Sequence, residues 1–365
     1  MKTFGHIMKE VIIPEFCLGC GACVAGCCHD MLEMVDGKPK LVGRCEVCNI
    51  CYYQCPQVVS QEELKKKIFG RSTAEEVAGI YKGAISAHTS DHKIRTHSQD
   101  GGFVTSLLAA LFKAGFIDGA VVTASDEWRP VPKVATTRAE LIECAGSKYS
   151  RGSLLLGLRD AINLYSLEQI AIVGLPCQIK AVRRMQNSER TVSRLTDPIK
   201  LCVGLFCNRA FPYEKFFKGI IEGQLHVKLK DVSKFDIKEG SFLIYRQGKP
   251  RRELALDALE QFVDVPCRLC SDFASELADI SVGAVGSPLA HSTALLRTQV
   301  GAEASWIAED MKAINTRLIE EVKPGIEAVM RLSKSKKRGA KEEMRRRLGL
   351  SKPLPPWIHE QPTVE

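Results

Sequence analysis

The sequence predicts an α+β chain: a small cysteine-rich module, then a mixed α/β body, then a helical, basic C-terminus. Three observations carry that expectation. The first 55 residues hold nine cysteines, eight of them in two copies of one spacing. From about Tyr81 on, short apolar strand signals alternate with helix signals, as in a mixed α/β body. Residues 331–350 carry nine Lys or Arg against two Glu. These shifts divide the chain into a module at 1–60, a linker at 61–80, a body at 81–298 and a helical extension at 299–365.

The elements follow in order. Each half of the module pairs a short strand signal with a cysteine run, and Asp36-Gly37 marks a turn between Met34 and Lys40. Residues 61–79 are polar and helix-prone. Ala84–Ala87 is a short strand. Asp100-Gly101-Gly102 opens an apolar helix from Phe103 to Ala114, which Gly115 ends. Asp118–Thr123 reads as a buried strand. Strand and helix then alternate through Gln169–Val173, Cys177–Met185, Ile199–Phe206 and Tyr213–Ile221. Antiparallel strands are expected around Phe235–Ile237 and Phe242–Arg246, with a further strand in 278–285. From about Ala302 the chain is expected to be helical.

The two cysteine runs are the most specific signal. They read Cys17-x2-Cys20-x2-Cys23-x3-Cys27 and Cys45-x2-Cys48-x2-Cys51-x3-Cys55-Pro56. This is the two-cluster ferredoxin signature, in which three cysteines of a run hold one 4Fe–4S cubane and the fourth reaches the other. The expected sets are Cys17, Cys20, Cys23 and Cys55 for one cluster, and Cys45, Cys48, Cys51 and Cys27 for the other. Paired zinc sites are the plainer alternative, but zinc does not call for two four-cysteine runs with this repeat. Cys27 is followed by Cys28 rather than proline, so Cys28 competes for its place.

No apolar run suffices to span a membrane. The best, Phe103 to Val122, is broken by Lys113 and Asp118. Lys9, Glu10 and Glu15 interrupt any secretory pattern. A cytoplasmic protein is expected, either free or peripheral on the inner membrane face through a complex. Fifteen cysteines in that compartment point to metal ligation rather than disulfides. The formal charge of +8 counts thiols as neutral. Three thiolate-held clusters would add roughly −6, which weakens any case for nucleic-acid binding from net charge, and no nucleic-acid partner is expected.

A second constellation is scattered: Cys177 in GLPCQ, Cys207 in GLFC, and Cys267 and Cys270 as a CxxC after Pro266. All four fall on turns or strand ends, where a third cluster fits. Cys202 competes but lies within an apolar strand and reads as a small hydrophobe. Ser98-Gln-Asp-Gly-Gly-Phe-Val-Thr105 heads the apolar helix as either a phosphate cradle or an ordinary cap. Residues 145–152, AGSKYSRG, mix small residues, cations and a ring, as either a cofactor loop or a surface loop. No Rossmann, P-loop or zincin motif is present.

Taken together, SQDGGFVT, AGSKYSRGS, GLPCQ, GLFC and PCRLCSDF, in this order over residues 80–320, resemble the family of beta subunits of F420-reducing hydrogenases and F420-dependent dehydrogenases. (F420 is a deazaflavin coenzyme.) With its N-terminal two-cluster module the layout is most similar to the electron-input subunit of F420H2 dehydrogenase. The resemblance implies a body that binds FAD through Ser98, Gln99, Gly101, Gly102, Thr105, Lys148, Tyr149 and Ser150. It also implies a third 4Fe–4S cluster on Cys177, Cys207, Cys267 and Cys270, near the flavin. The implied activity is transfer of electrons between F420 and a chain of clusters leading to partner subunits or ferredoxin. F420 passes a hydride and a cluster takes one electron, so the flavin must stand between them. Lys148 is then expected to stabilise reduced flavin. Arg95, Lys148, Arg151 and Arg183 are candidates for the acidic tail of F420. An iron–sulfur adapter without flavin chemistry, or a ferredoxin-fed reductase of a small organic substrate, are the alternatives. The basic C-terminal stretch is either a docking surface for a partner or anionic membrane, or a solvated helix.

Overall fold

The computed structural model describes residues 2–71 and 76–360. Near the N-terminus, β1 (Leu32–Val35) and β2 (Lys38–Leu41) form an antiparallel hairpin across the Asp36-Gly37 turn, with Val35 opposite Lys38. Both turn residues are left-handed, at φ 51° and 72°, as a two-residue hairpin loop requires.

The body is an eight-stranded mixed sheet. Its strands are β3 (Gly83–Thr89), β4 (Gly119–Asp126), β5 (Arg129–Ala135), β6 (Ile170–Gly174) and β7 (Ile199–Leu205), and three that come after an inserted sheet. The insertion is a three-stranded antiparallel sheet of β8 (Val232–Lys238), β9 (Ser241–Arg246) and β10 (Lys249–Ala255). The chain then returns to the main sheet as β11 (Ile280–Gly283), β12 (Ser292–Leu296) and β13 (Ile314–Leu318). The order across the main sheet is β13-β3-β12-β11-β7-β6-β4-β5. Strands β4, β6, β7 and β11 are mutually parallel, and β3 runs with them through two antiparallel steps across β12.

A parallel centre must be covered on both faces, so its strands are apolar throughout. All five residues of β6 are buried. One face packs on the helices Leu156–Asn163 and Pro176–Gln186 through Leu158, Ile179 and Val182, and the other on Phe103–Lys113 and Gln299–Asp310 through Leu107, Leu111 and Ala304. The inserted sheet has its own aromatic core of Phe211, Phe216, Phe217, Phe235 and Phe242.

Several stretches differ from the expectation. The strand signal expected before the first cysteine run is instead helical, over Phe4–Ile7 and Met8–Ile12, with Phe4, Ile7 and Val11 buried. The polar segment read as a helix-prone linker does form a helix, Gln61–Phe69, capped by the Ser60 hydroxyl, which accepts from the Glu63 amide at 3.1 Å, but the helix is packed against the body. Its Leu64 is fully buried, and Lys65 forms an ion pair with the buried Glu276. Residues 72–75 of that segment lie outside the described residues. The stretch expected to be helical from Ala302 is interrupted by β13, which pairs antiparallel with β3 at the edge of the main sheet. Its INTRL pattern is too short and polar to announce a strand; tertiary pairing overrides propensity there. The basic run does lie in one long helix, Ile326–Gly349, while residues 361–365 fall outside the described residues. Strand β10 was not foreseen; KPRRELA is nearly all exposed and lacks alternation. No helix among the described residues is long and apolar enough to cross a membrane.

Candidate functional site

In the first cysteine run the backbone turns left-handed at Gly19 and Gly21, φ 66° and 86°. The second run repeats this with Val47 and Asn49, φ 55° and 68°. Each coil turns three thiols toward one cavity. The fourth thiol crosses over. One cavity is lined by Cys17, Cys20, Cys23 and Cys55, with Ile7, Val11 and Pro56 among its apolar walls. The other is lined by Cys27, Cys45, Cys48 and Cys51, with Phe4, Leu32 and Leu41. Cys27 therefore faces the second cavity. Cys28 is exposed, lies beside His29 and Cys48, and is outside the set that lines it.

Four soft donors around an apolar cavity, twice over, fit the chemistry of thiolate-held iron–sulfur clusters. Burial pushes the Cys20 thiol up to about 12, with Cys17 adding to it, and the Cys51 thiol likewise to about 12, with Cys48 and Cys45 adding. Burial raises Cys23 and Cys55 as well. Such thiols ionise only when a positive partner compensates for the lost hydration. Cys23 also feels Cys51, so the two cavities are electrostatic neighbours.

The body supplies its own set at the carboxyl edge of the main sheet. In open α/β sheets this edge is where ligands bind. Cys177 follows β6 in the first turn of its helix, and Cys207 follows β7, its amide donating to the Phe273 carbonyl at 2.9 Å. Cys267 lies in the short helix Val265–Arg268, and the Cys270 thiol donates to the Asp272 carbonyl at 3.7 Å. The Cys177 thiol is pushed well up by burial. Cys267, Cys270 and Cys207 add to this, and Arg151 opposes it. The four thiols thus lie within electrostatic reach of one another. Cys202 does not join them. It is fully buried in β7, and its amide donates to Asp279 Oδ2 at 2.7 Å.

Three cations frame this set. Arg151 pairs with Asp264 at 2.5 Å. Burial alone would lower its pKa, but Cys267, Cys177 and Asp264 raise it. The Lys336 ammonium donates to the Asn208 carbonyl and feels Cys270, Cys207 and Cys267. Burial pulls Lys180 down to about 8 against the pull of Cys270 and Cys55. Arg151 also acts on Cys20, and Lys180 on Cys55, so both cations stand between the body set and the first cavity of the module. The Leu155 amide donates to the Cys20 carbonyl at 3.1 Å, which ties module to body at the same place.

The two glycine- and lysine-bearing motifs meet at this edge. Gln99 Nε2 donates to the Tyr149 hydroxyl at 3.3 Å and to Asp236 Oδ1 at 3.1 Å. Gln99 Oε1 accepts from the Ser147 amide at 3.3 Å. Gly101 lies against backbone: a Cβ there would fall 2.5 Å from the Ser292 nitrogen and 2.7 Å from the Ala87 oxygen. Gly102 caps the helix Phe103–Lys113 at φ 74°. The Ser98 hydroxyl donates to the Ile94 carbonyl at 2.7 Å. Thr105 is half-buried in the first turn and Ser150 is buried. Tyr149, left-handed at φ 54°, packs edge-on to Phe242. Lys148 turns its ammonium onto the C-terminus of the helix Arg138–Glu143, donating to the Cys144, Ala145 (3.1 Å) and Gly146 (2.8 Å) carbonyls. Burial brings it down to about 8, with Cys144 opposing.

Of the four expected tail-binding cations, Arg183 is committed elsewhere, to Asp279 at 2.8 Å and the Leu277 carbonyl at 2.9 Å. Lys148 and Arg151 have the partners just given, and Arg95 is exposed. Sequence reasoning missed Asp236, Lys180 and Lys336. Lys180 had a usable signal, since it stands one helical turn after Cys177. Asp236 had none, lying 137 residues from Gln99.

An open sheet with a cysteine set at its carboxyl edge, bonded to a module with two cysteine-lined cavities, defines an α/β protein organised around thiol-lined sites. The chain belongs to the family of coenzyme F420 hydrogenase/dehydrogenase beta subunits. Residues 84–158 match the N-terminal and residues 167–322 the C-terminal part of such a beta subunit. Both cysteine runs precede the matched stretches. It is 37% identical to the beta subunit of coenzyme F420 hydrogenase from Methanothermobacter thermautotrophicus over 76% of this chain and 99% of that one. It is 29% identical to a subunit of the F(420)H(2) dehydrogenase of Methanosarcina mazei over 92% of this chain and 93% of that one. A chain of the F420-reducing NiFe hydrogenase complex from Methanosarcina barkeri superposes with a TM-score of 0.71 at 32% identity, covering 76% of this chain and 97% of the other.

Proposed function

We propose that this protein is the F420-reactive subunit of a larger redox complex, carrying electrons between coenzyme F420 and a partner through bound FAD and three 4Fe–4S clusters. One observation carries the reading: Gln99 joins the Ser98–Thr105 and Ser147–Ser150 segments at the sheet edge where the Cys177 set lies. Bound FAD supplies the conversion between paired and single electrons. The residues of this chain position and insulate. Gly101 lets the loop approach the sheet edge, and Tyr149, backed by the buried Phe242, gives the site an aromatic wall. Cys177, Cys207, Cys267 and Cys270 hold the cluster nearest the flavin. Cys17, Cys20, Cys23 and Cys55 hold the next, and Cys27, Cys45, Cys48 and Cys51 the outermost. Arg151, Lys180 and Lys336 offset the negative charge of the body cluster and its neighbour. The more exposed outer set faces the partner that accepts or supplies single electrons.

Anaerobically prepared protein is expected to carry about twelve irons per chain, four per cluster. It should also show flavin absorbance that bleaches on addition of reduced F420. Zinc in place of iron, or absence of bound flavin, overturns the reading.

A further inference from the structure

We propose that His88, His291, Arg95 and Arg317, with Asn315, form an anion subsite for the phosphate-bearing tail of a flavin-type coenzyme. The inference rests on the function proposed above and assigns the part of the coenzyme that lies outside its ring.

The strand register assembles the group. Asn315 of β13 stands opposite His88 of β3, and Arg317 opposite Ser86. Residues two apart on a strand share a face, so His88, Asn315 and Arg317 point to one side of the sheet. Ser292 of β12 pairs with Ala87, so His291, one residue earlier, continues the same row. The two imidazoles meet edge to face with centroids 4.6 Å apart. Asn315 Nδ2 lies 3.4 Å from His88 Nε2 and donates to the Ser90 hydroxyl at 3.0 Å. Arg95 arrives from the helix His92–His97, which Asp91 caps by accepting from the Ile94 amide at 3.1 Å.

The row abuts the candidate flavin loop, since a Cβ on Gly101 would fall 2.7 Å from the His291 carbonyl carbon. Its electrostatics are one-sided. Burial lowers the pKa of His88 first, and His291, Arg95 and Arg317 lower it further. Asp91, which caps the helix that carries Arg95, pairs with Arg138. The fixed charges in the row are the Arg95 and Arg317 guanidinium groups, and an anion beside them would be attracted by both. Guanidinium groups and ring N–H donors suit phosphate oxygens in particular. Both FAD and F420 carry phosphate, so the subsite has two sources for its anion.

The test is the double variant Arg95→Ala/Arg317→Ala. Both side chains are exposed. A charge-matched control, Arg338→Ala/Lys341→Ala, removes two exposed cations from the C-terminal helix. Affinity for oxidised F420 is read by its own fluorescence anisotropy, and flavin content by absorbance after denaturation. Weakening of F420 binding by at least about tenfold, with flavin content and the control unchanged, assigns the subsite to the F420 tail. Loss of bound flavin assigns it to the phosphates of FAD. Unchanged affinity and flavin content, or equal weakening in the control, overturns the inference. A wild-type protein that binds no F420 overturns the proposed function instead, and the subsite is then judged by flavin content alone.

Discussion

In the N-terminal module, three of the four thiols around each cavity come from a single seven-residue coil, whereas the four at the sheet edge are drawn from positions 177 to 270. The coil fixes its geometry locally, through left-handed residues at matching positions in both runs. The sheet-edge set depends on β6, β7 and the Val265–Arg268 segment all being in register. A local site tolerates changes elsewhere in the molecule, while a topological one fails whenever the sheet edge shifts. The two kinds of site also differ in their surroundings. The module cavities are walled by apolar side chains, but the body set is ringed by Arg151, Lys180 and Lys336. A cluster ringed by cations is easier to reduce, because the added electron is stabilised electrostatically.

The largest effect that probes this contrast is expected from Cys267→Ser. It should remove about a third of the iron and slow electron flow from flavin to an external acceptor by at least about a hundredfold, because the remaining clusters are no longer reached. Flavin bleaching by reduced F420 should persist, so stopped-flow absorbance should show electrons held on the flavin. Cys55→Ser should cost a similar amount of iron but leave the body cluster reducible, with the block appearing one step later. EPR of the reduced variants separates the two outcomes. If Cys55→Ser also prevented reduction of the body cluster, the module and body would not be successive stages, and the contrast between them would collapse.

The same contrast explains what was legible in the sequence. Both cysteine runs, the Asp36-Gly37 turn and the strands β3, β4, β6 and β7 follow from local spacing and periodicity, while β5 and the helices between Thr123 and Gln169 gave no such signal. The pairing of cysteines across the two runs is also a property of the repeat. The left-handed Val47 was not legible, because a β-branched residue rarely adopts that region and only the coil demands it. The bridge from Gln99 to Asp236 and the placement of Arg151 and Lys180 between two thiol sets are products of tertiary packing. Strand β13 shows the same limit: its five residues have little strand character and are recruited by the free edge of β3.

A smaller effect is expected at the glycine loop. Gly101→Ala would place a methyl against the Ser292 nitrogen and the Ala87 oxygen, and neither backbone atom can move without disturbing β12 or β3. Overpacking of this kind costs about 1–3 kcal/mol, seen as a lowered Tm. The loss should fall on flavin content while total iron in the N-terminal module stays intact. A variant that lost module iron as readily as flavin would show that the two regions fold as one unit.

The smallest effect separates the two roles open to Lys148. Its ammonium is already bonded to the three carbonyls that end the helix Arg138–Glu143, which is a capping role. Removing it in Lys148→Met should cost about 1 kcal/mol of stability. Burial holds this lysine at about 8 in the folded protein, below its ordinary value of 10.5. Between those values the unfolded chain binds the extra proton, so the contribution of this group to stability is lowest below the folded pKa and rises as pH climbs through the window. The Tm of the wild type should therefore gain on that of Lys148→Met between about pH 7.5 and about pH 9.5, measured anaerobically. A variant that kept this stability profile but lost flavin bleaching would move Lys148 from a cap of the helix to a contact of the flavin.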